Sequence, residues 1–142
     1  MFMGTYLYKM DSKGRVMIPP TYREDLGTKF VITKGFEKCL FGYPAKEWEN
    51  LSKKLAKIHL STKEARFFLR VWFSSATFVE IDNQGRVLIP LEFRKFASLK
   101  RDVVFIGVLN RIEIWDKYAW DKYLETKELS YENSISKLVE NL

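Results

Sequence analysis

Two short segments of the chain combine an aspartate, a glycine and an arginine at the spacing of a tight turn that presents a cation. The sequence DSKGRVMIP begins at Asp11, and DNQGRVLIP begins at Asp82. The aspartate can accept hydrogen bonds from backbone N–H groups two or three residues later, and the glycine can adopt positive φ. The guanidinium groups of Arg15 and Arg86 can each donate two parallel hydrogen bonds, which suits phosphate oxygens and the O6/N7 edge of guanine. The pattern therefore predicts a duplicated binding surface, carried by ribbons narrow enough to enter a DNA major groove.

The two turns differ in the residues that separate the aspartate from the arginine. Lys13 stands close to Arg15 in the first turn, whereas the second turn has the neutral amides of Asn83 and Gln84. We therefore expect the first turn to have the greater affinity for phosphate. A purely structural interpretation stays open, in which each aspartate pairs only with the arginine of its own turn. Exposed pairs of this kind contribute only about 0–1 kcal/mol.

The turns belong to a longer duplication that defines the elements around them. The two aspartates are 82 − 11 = 71 residues apart, and an aromatic residue followed by Arg23 or Arg94 recurs at the same offset. We expect these two arginines to brace their own hairpins, and direct contact with the nucleic acid is the alternative for each. Each copy predicts a strand entering a hairpin, a returning strand ended by proline, a short helix and two more strands. The predicted strands cover residues 2–10, 16–18, 30–33, 39–41, 76–81, 87–89, 103–106 and 112–115, with short helices at 21–27 and 91–97.

We expect one pseudo-symmetric domain over residues 1–142. Repeat one covers about 1–51, a helical connection about 52–75, repeat two about 76–124, and a C-terminal tail 125–142.

Helices are predicted between and after the repeats. Apolar periodicity indicates a helix over 44–59, and Ser61 with Glu64 matches a capping box that begins a second one. This second helix is rich in aromatic residues, which favours a subunit contact on part of its surface. The tail spaces Ile135, Leu138 and Leu142 as a weakly amphipathic helix.

Composition argues against several classes of function. No stretch approaches the roughly 18 apolar residues that span a bilayer, and the N-terminus lacks the features of a signal peptide, so we expect a soluble cytoplasmic protein. Cys39 and His59 are the only residues of their types among the 142, so neither a metal cluster nor a cofactor is expected. The paired aspartates resemble a protease dyad, but the neighbouring arginine would keep each ionised and prevent proton sharing. We expect no enzyme.

The net charge of +6 is unevenly distributed along the chain. Residues 1–71 contain 14 Lys and Arg against 7 Asp and Glu, and residues 72–142 contain 10 against 11. A basic surplus in the first half favours a polyanionic partner, most often a nucleic acid, and together with Lys13 it makes the Arg15 turn the stronger candidate for binding DNA.

These motifs resemble the MraZ family of bacterial transcriptional regulators. The resemblance rests on the doubled DxxGRVxIP, on RIEIW at 111–115 and on the spacing through Trp120 to Tyr123, and it covers about residues 1–140. Each half is similar to a SpoVT-AbrB module. The resemblance implies an α+β fold, a pseudo-two-fold β-barrel of duplicated swapped hairpins with helices outside.

The resemblance also implies a function. MraZ-like proteins form ring-shaped homo-oligomers at the nucleoid, bind short direct repeats of double-stranded DNA upstream of their own division and cell-wall operon, and mostly repress it. Two alternatives stay open, an oligomeric protein-interaction module and an RNA-binding regulator. Asp11 and Asp82 would order the turns. The resemblance assigns DNA contact to Lys13, Gly14, Arg15, Gln84, Gly85 and Arg86.

Overall fold

A computed structural model describes residues 1–126 and 130–141 of the chain. These residues contain eight strands and six helices in a mixed α+β arrangement, which confirms the predicted class. The order strand, strand, helix, strand, strand, helix, helix occurs twice. The elements are β1 (Thr5–Lys9), β2 (Arg15–Met17), α1 (Pro20–Leu26), β3 (Lys29–Lys34), β4 (Leu40–Pro44), α2 (Ala45–Leu55), α3 (Lys63–Ser75), β5 (Thr77–Glu80), β6 (Arg86–Leu88), α4 (Leu91–Phe96), β7 (Asp102–Val108), β8 (Arg111–Asp116), α5 (Lys117–Leu124) and α6 (Tyr131–Glu140).

The strands of the two repeats are interleaved. Six of them form an antiparallel sheet in the order β1-β7-β8-β4-β3-β5, and β2 pairs with β6 in a separate two-stranded ribbon. The first strand of each repeat therefore pairs with the other repeat, β1 with β7 and β5 with β3. β4 and β8 meet at the centre of the sheet, and each repeat supplies three strands of the sheet and one of the ribbon.

Two expectations about this sheet are wrong. The sheet is not closed into a barrel, because β1 and β5 lie at its opposite edges and no strand of the described residues joins them. The strands that flank each aspartate turn also do not pair with each other, since β1 pairs with β7 and β2 with β6. The three-residue β2 and β6 run into Pro19 and Pro90, which have no N–H to extend a ladder. The swapped-hairpin description stays a prediction.

Buried apolar side chains fix the ribbon to the larger sheet. Val16 and Val87 face each other across the ribbon and are each 1% exposed, and Ile18 and Ile89 beyond them are fully buried. Burial of side chains of this size stabilises the fold by about 1.5–3 kcal/mol each. The same core cluster contains Tyr22, Phe30, Phe93, Phe105 and Ile114. Apolar packing thus holds the ribbon in place without using its arginines.

Helices α2, α3 and α5 cover the opposite face of the sheet. Trp72 of α3 is buried and stacks on Trp48 of α2 with ring centroids 5.8 Å apart, and Trp115 lies 5.1 Å from Trp120 of α5. The helix predicted over 44–59 is shorter, ending at Leu55. The capping box was also misplaced by one residue, because the side chain of Thr62, and not that of Ser61, accepts a hydrogen bond at the start of α3.

The C-terminal tail forms α6, whose apolar side chains are exposed to solvent. Tyr131, Ile135, Leu138 and Val139 are between 43% and 83% exposed. Leu142, predicted on the same helix face, lies outside the described residues, as do tail residues 127–129.

Candidate nucleic-acid interface

The first turn is closed by the side chain and the backbone of Asp11. Its Oδ1 atom accepts hydrogen bonds from the backbone N–H groups of Lys13 and Arg15, each at 2.9 Å. Its carbonyl accepts from the Gly14 N–H at 3.1 Å, and its own N–H donates to the Arg15 carbonyl at 2.9 Å. Four hydrogen bonds within five residues fix the backbone from which the Arg15 side chain projects.

The second turn repeats this geometry closely. Oδ1 of Asp82 accepts from the N–H groups of Gln84 at 2.8 Å and Arg86 at 2.9 Å. The Asp82 carbonyl accepts from the Gly85 N–H at 2.9 Å, and its N–H donates to the Arg86 carbonyl at 2.8 Å. The backbones of the two turns are therefore equivalent, and any difference between them lies in their side chains and surroundings.

The hydrogen bonds within the turns favour the ionised form of both aspartates. The pKa of Asp11 is held below its ordinary value of 3.8 chiefly by the Arg15 N–H, with further contributions from the Lys13 N–H and from the charges of Arg15 and Arg86, and desolvation opposes them. The pKa of Asp82 is lowered in the same way, chiefly by the Arg86 N–H. Since the arginine of each turn acts on the aspartate of the other, the two turns interact electrostatically.

Each turn glycine lies against an arginine from the other repeat. Gly14 has a φ of 93° and Gly85 a φ of 80°, a region that glycine occupies without the strain of a Cβ. A Cβ on Gly14 would also lie 2.6 Å from Nε of Arg94, and one on Gly85 would overlap the guanidinium of Arg23. Both turns therefore require glycine for two separate reasons.

The same two arginines hold the ends of the ribbon. Nε of Arg23 donates to the Ile18 carbonyl at 3.1 Å, and Nε of Arg94 donates to the Ile89 carbonyl at 2.8 Å. The N–H group of each isoleucine donates to the carbonyl of the turn glycine in the other repeat, in both cases at 2.9 Å. Each arginine thus braces the end of its own returning strand and also supports the opposite turn. The separate hairpin that it was expected to brace does not form, because β1 pairs with β7, β5 with β3, and β2 with β6.

The outer face of the ribbon presents both turn arginines. Because Arg15 is opposite Leu88 and Arg86 is opposite Met17, these four side chains project on one side and Val16 with its partner on the other. A strand rise of 3.4 Å and a strand spacing of 4.8 Å place the Cα atoms of the two arginines roughly 8 Å apart. A pair at this separation fits within a major groove about 12 Å wide.

The two arginines differ in their local partners. Nη2 of Arg86 donates to Oε1 of Gln84 at 2.5 Å, and its Nε lies 3.9 Å from Oδ2 of Asp82. Arg15 makes no ion pair within 4.0 Å among the residues that the structure describes. The local ion pair considered from the sequence is therefore found in the second turn and not in the first.

The sequence predicted both turns but not that one ribbon joins them. The six residues assigned to DNA contact are Lys13 to Arg15, at one end of the ribbon, and Gln84 to Arg86, at its other end. Each turn appeared in the sequence as a hairpin of its own. The shortness of both returning strands, each followed by proline, was the signal that neither strand could form a long hairpin ladder alone.

Neither a metal site nor a membrane span is found in the part of the chain that the structure describes. Over residues 1–126 and 130–141, no three His, Cys, Asp or Glu side chains are grouped so that they could hold a metal ion. No helix in these ranges is long and apolar enough to cross a membrane.

Comparison with known proteins identifies the family. A family model described as "MraZ protein, putative antitoxin-like" matches the chain twice, over residues 1–71 and 72–142. A relative from Halothermothrix orenii, named "Transcriptional regulator MraZ", is 49% identical over 142 residues, which cover 100% of this chain and 99% of the relative. With both repeats matched and the full length aligned, the chain belongs to the MraZ family.

Proposed function

We propose that this protein is a transcriptional regulator that binds double-stranded DNA through the outer face of the β2–β6 ribbon. The observation that carries the proposal is the position of Arg15 and Arg86 on one face of a narrow ribbon, each rising from a turn closed by an aspartate. The name of the Halothermothrix orenii relative, "Transcriptional regulator MraZ", supports the same conclusion.

The first turn supplies the main contact in this proposal. The Arg15 guanidinium binds a guanine edge or a phosphate, while Lys13 adds a second cation and Gly14 allows close approach of the backbone. Gln84, Gly85 and Arg86 make the corresponding contacts from the second turn. These contacts are weaker, because Arg86 is already hydrogen-bonded to Gln84.

We further propose that several copies act together on short direct repeats upstream of the protein's own division and cell-wall operon, with repression as the result. The exposed apolar side chains of α6 and Phe67 of α3, which is 70% exposed, support self-association into a ring. Joining several weak turns in one assembly raises the overall affinity by about 10²–10⁴ when their spacing matches that of the sites. Such a regulator acts in the cytoplasm at the nucleoid.

The experiment is a binding titration of the full-length protein with the DNA fragment upstream of its own gene. We expect the fragment to bind more tightly than a scrambled duplex of equal length, with an affinity that falls steeply as salt rises. An RNA copy of the fragment should compete poorly. Equal binding to the scrambled duplex contradicts sequence-specific regulation, and preferential binding of the RNA identifies an RNA-binding regulator instead. Absence of binding to every nucleic acid leaves the protein-interaction module as the function.

A further inference from the structure

A broad groove beside the first turn is rich in cations. The groove has a volume of about 860 Å³ and lies between Asp11, the end of β1, helix α4 and the loop that follows α4. Its lining includes Lys9, Arg94, Lys95, Lys100 and Arg101, against the single carboxylate of Asp11.

Four of these cations are available to a ligand. Lys9, Lys95, Lys100 and Arg101 are exposed, and none of them forms an ion pair within 4.0 Å in the described part of the chain. Arg94 is the exception, because its Nε donates a hydrogen bond to the carbonyl of Ile89, just beyond β6.

Two further carboxylates lie near the groove without reversing its charge. Asp102 is opposite Lys9 in the ladder between β1 and β7, and Oδ1 of Asp116 accepts a hydrogen bond from the Lys100 backbone N–H at 3.3 Å. The four available cations still outnumber these two carboxylates and Asp11 together.

The pseudo-symmetric position beside the second turn lacks the excess of cations. At the offset of 71 residues, Lys9 corresponds to Glu80 and Lys95 to Glu24. Arg101 corresponds to Thr28, because the hydrogen bond from the Met10 N–H to the Arg101 carbonyl at 2.7 Å is repeated by one from the Ile81 N–H to the Thr28 carbonyl at 2.8 Å. The cations on this side are Arg23, against Gly85, and Lys29, opposite Glu80 in the ladder between β3 and β5. Two turns with the same backbone geometry therefore lie beside surfaces of different charge.

We infer that the groove formed by Lys9, Lys95, Lys100 and Arg101 binds the backbone phosphates of the DNA that the first turn contacts. The inference rests on the proposed function and adds a phosphate-binding surface to it. Cations in a groove displace the counterions of the duplex and fix its register, whereas base edges are read by the turn itself. The position beside the second turn lacks this excess of cations, so the ribbon meets DNA with its first turn leading.

The cations in the groove come mostly from the second half of the chain, although the basic first half was expected to favour the first turn. Of the groove's four available cations, only Lys9 lies in the basic first half of the chain. The other three come from the second repeat, because α4 packs beside the turn of the first. The surplus in residues 1–71 therefore does not by itself make the first turn basic.

The test removes two cations from the groove. We expect Lys95→Gln/Arg101→Gln to lower affinity for the upstream fragment and to reduce the slope of log K against log[salt] by about 0.9 for each phosphate that is no longer neutralised. Affinity for a scrambled duplex should fall by the same factor, because phosphate contacts carry no sequence information. The matched control is Lys54→Gln/Lys57→Gln, which removes the same charge from two exposed positions, one in the last turn of α2 and one just beyond it. Both lie on the face of the sheet away from the ribbon. The salt slope of the control should match that of the wild type.

Two results separate this inference from the proposed function. If the groove variant and the control change the salt slope equally while Arg15→Ala still abolishes specific binding, the groove inference is overturned and the DNA-binding function stands. If the wild type does not bind the fragment, the function itself fails and the inference fails with it. Thermal unfolding of each variant, followed by circular dichroism, must match the wild type, since all four substituted side chains are exposed.

Discussion

Arg15 and Arg86 occupy equivalent positions in the two repeats and differ in what already binds them. The guanidinium of Arg86 is held by Gln84 and lies near Asp82. A guanidinium that must release such contacts gains less from a phosphate or a base than one that does not. At the scale of single residues, Arg15 is therefore the better placed to bind.

Gly14→Ala should destabilise the protein more than Gly4→Ala. The two glycines have nearly the same positive φ, 93° and 94°, so both substitutions introduce backbone strain of about 1–3 kcal/mol. A Cβ at position 14 would also lie 2.6 Å from Nε of Arg94, whereas at position 4 the nearest atom, in the ring of Tyr6, is 3.2 Å away. We expect urea titration to show a free energy of unfolding lower by at least about 1 kcal/mol for Gly14→Ala than for Gly4→Ala. Equal losses would show that Arg94 does not hold the first turn.

The stabilising effect of the Asp11 charge should disappear at low pH. The pKa of Asp11 is lower in the folded protein than its unfolded value of about 3.9, so its charge stabilises the fold above that pH and the effect is lost as pH falls through the folded pKa. Asp11→Asn keeps an oxygen acceptor but removes the charge. We expect the variant to be less stable than the wild type at pH 7 and the difference to shrink toward pH 3, measured by urea titration. A constant difference across this range would mean that the charge is irrelevant.

At the scale of elements, the sequence predicted most segments and missed their pairing. Strand and helix positions follow from local apolar periodicity and from proline and glycine, and α1 with its closing Gly27 is an example. Strand β1 pairs with β7, which begins at Asp102, and nothing within the first repeat specifies this pairing. The one-residue error at the start of α3 has a similar cause, because Ser61 and Thr62 are both suitable caps and only the folded chain selects one.

The same reasoning applies to the site. The composition of the turns was visible because the aspartate, glycine and arginine are close in sequence. The support of Gly14 by Arg94 and the cationic groove were not visible, because both depend on contacts between residues about 80 positions apart, as from position 14 to position 94.

Pairing of the ribbon across the repeats should be measurable as an energetic coupling. Val16 and Val87 are directly opposite and both 1% exposed. We expect Val16→Ala and Val87→Ala each to lower the free energy of unfolding, and the double variant to depart from additivity by about 0.5 kcal/mol or more. Additive losses within about 0.3 kcal/mol would indicate that the two strands do not meet.

At the scale of the whole molecule, interleaving makes each turn depend on both repeats. The backbone of the first turn comes from repeat one, whereas repeat two supplies the arginine beneath it, from α4, and most of the cations beside it, from α4 and the loop that follows. The two repeats therefore share the geometry of their turns and differ in the charged residues around them.

The self-association that we propose should depend on the exposed face of α6. Leu138 is 64% exposed, and Leu60, in the loop before α3, is 59% exposed, so the two form a matched pair. We expect Leu138→Asp to lower the molar mass of the assembly in light scattering, while Leu60→Asp leaves it unchanged. An assembly of unaltered mass in the Leu138 variant would exclude α6 from the contact.

The role of the first turn as the main DNA contact is tested most directly by titrating Arg15→Ala and Arg86→Ala side by side with the upstream DNA fragment at one salt concentration. Removal of a bidentate hydrogen bond to a base lowers the binding free energy by about 1–3 kcal/mol for each turn that contacts DNA. In an assembly of several copies, this loss occurs in every copy that binds. We predict that Arg15→Ala, while folded, binds the fragment no better than scrambled DNA, and that Arg86→Ala retains part of the specificity. Unchanged affinity of Arg15→Ala, or a greater loss in Arg86→Ala, would contradict the assignment of the first turn as the main DNA contact.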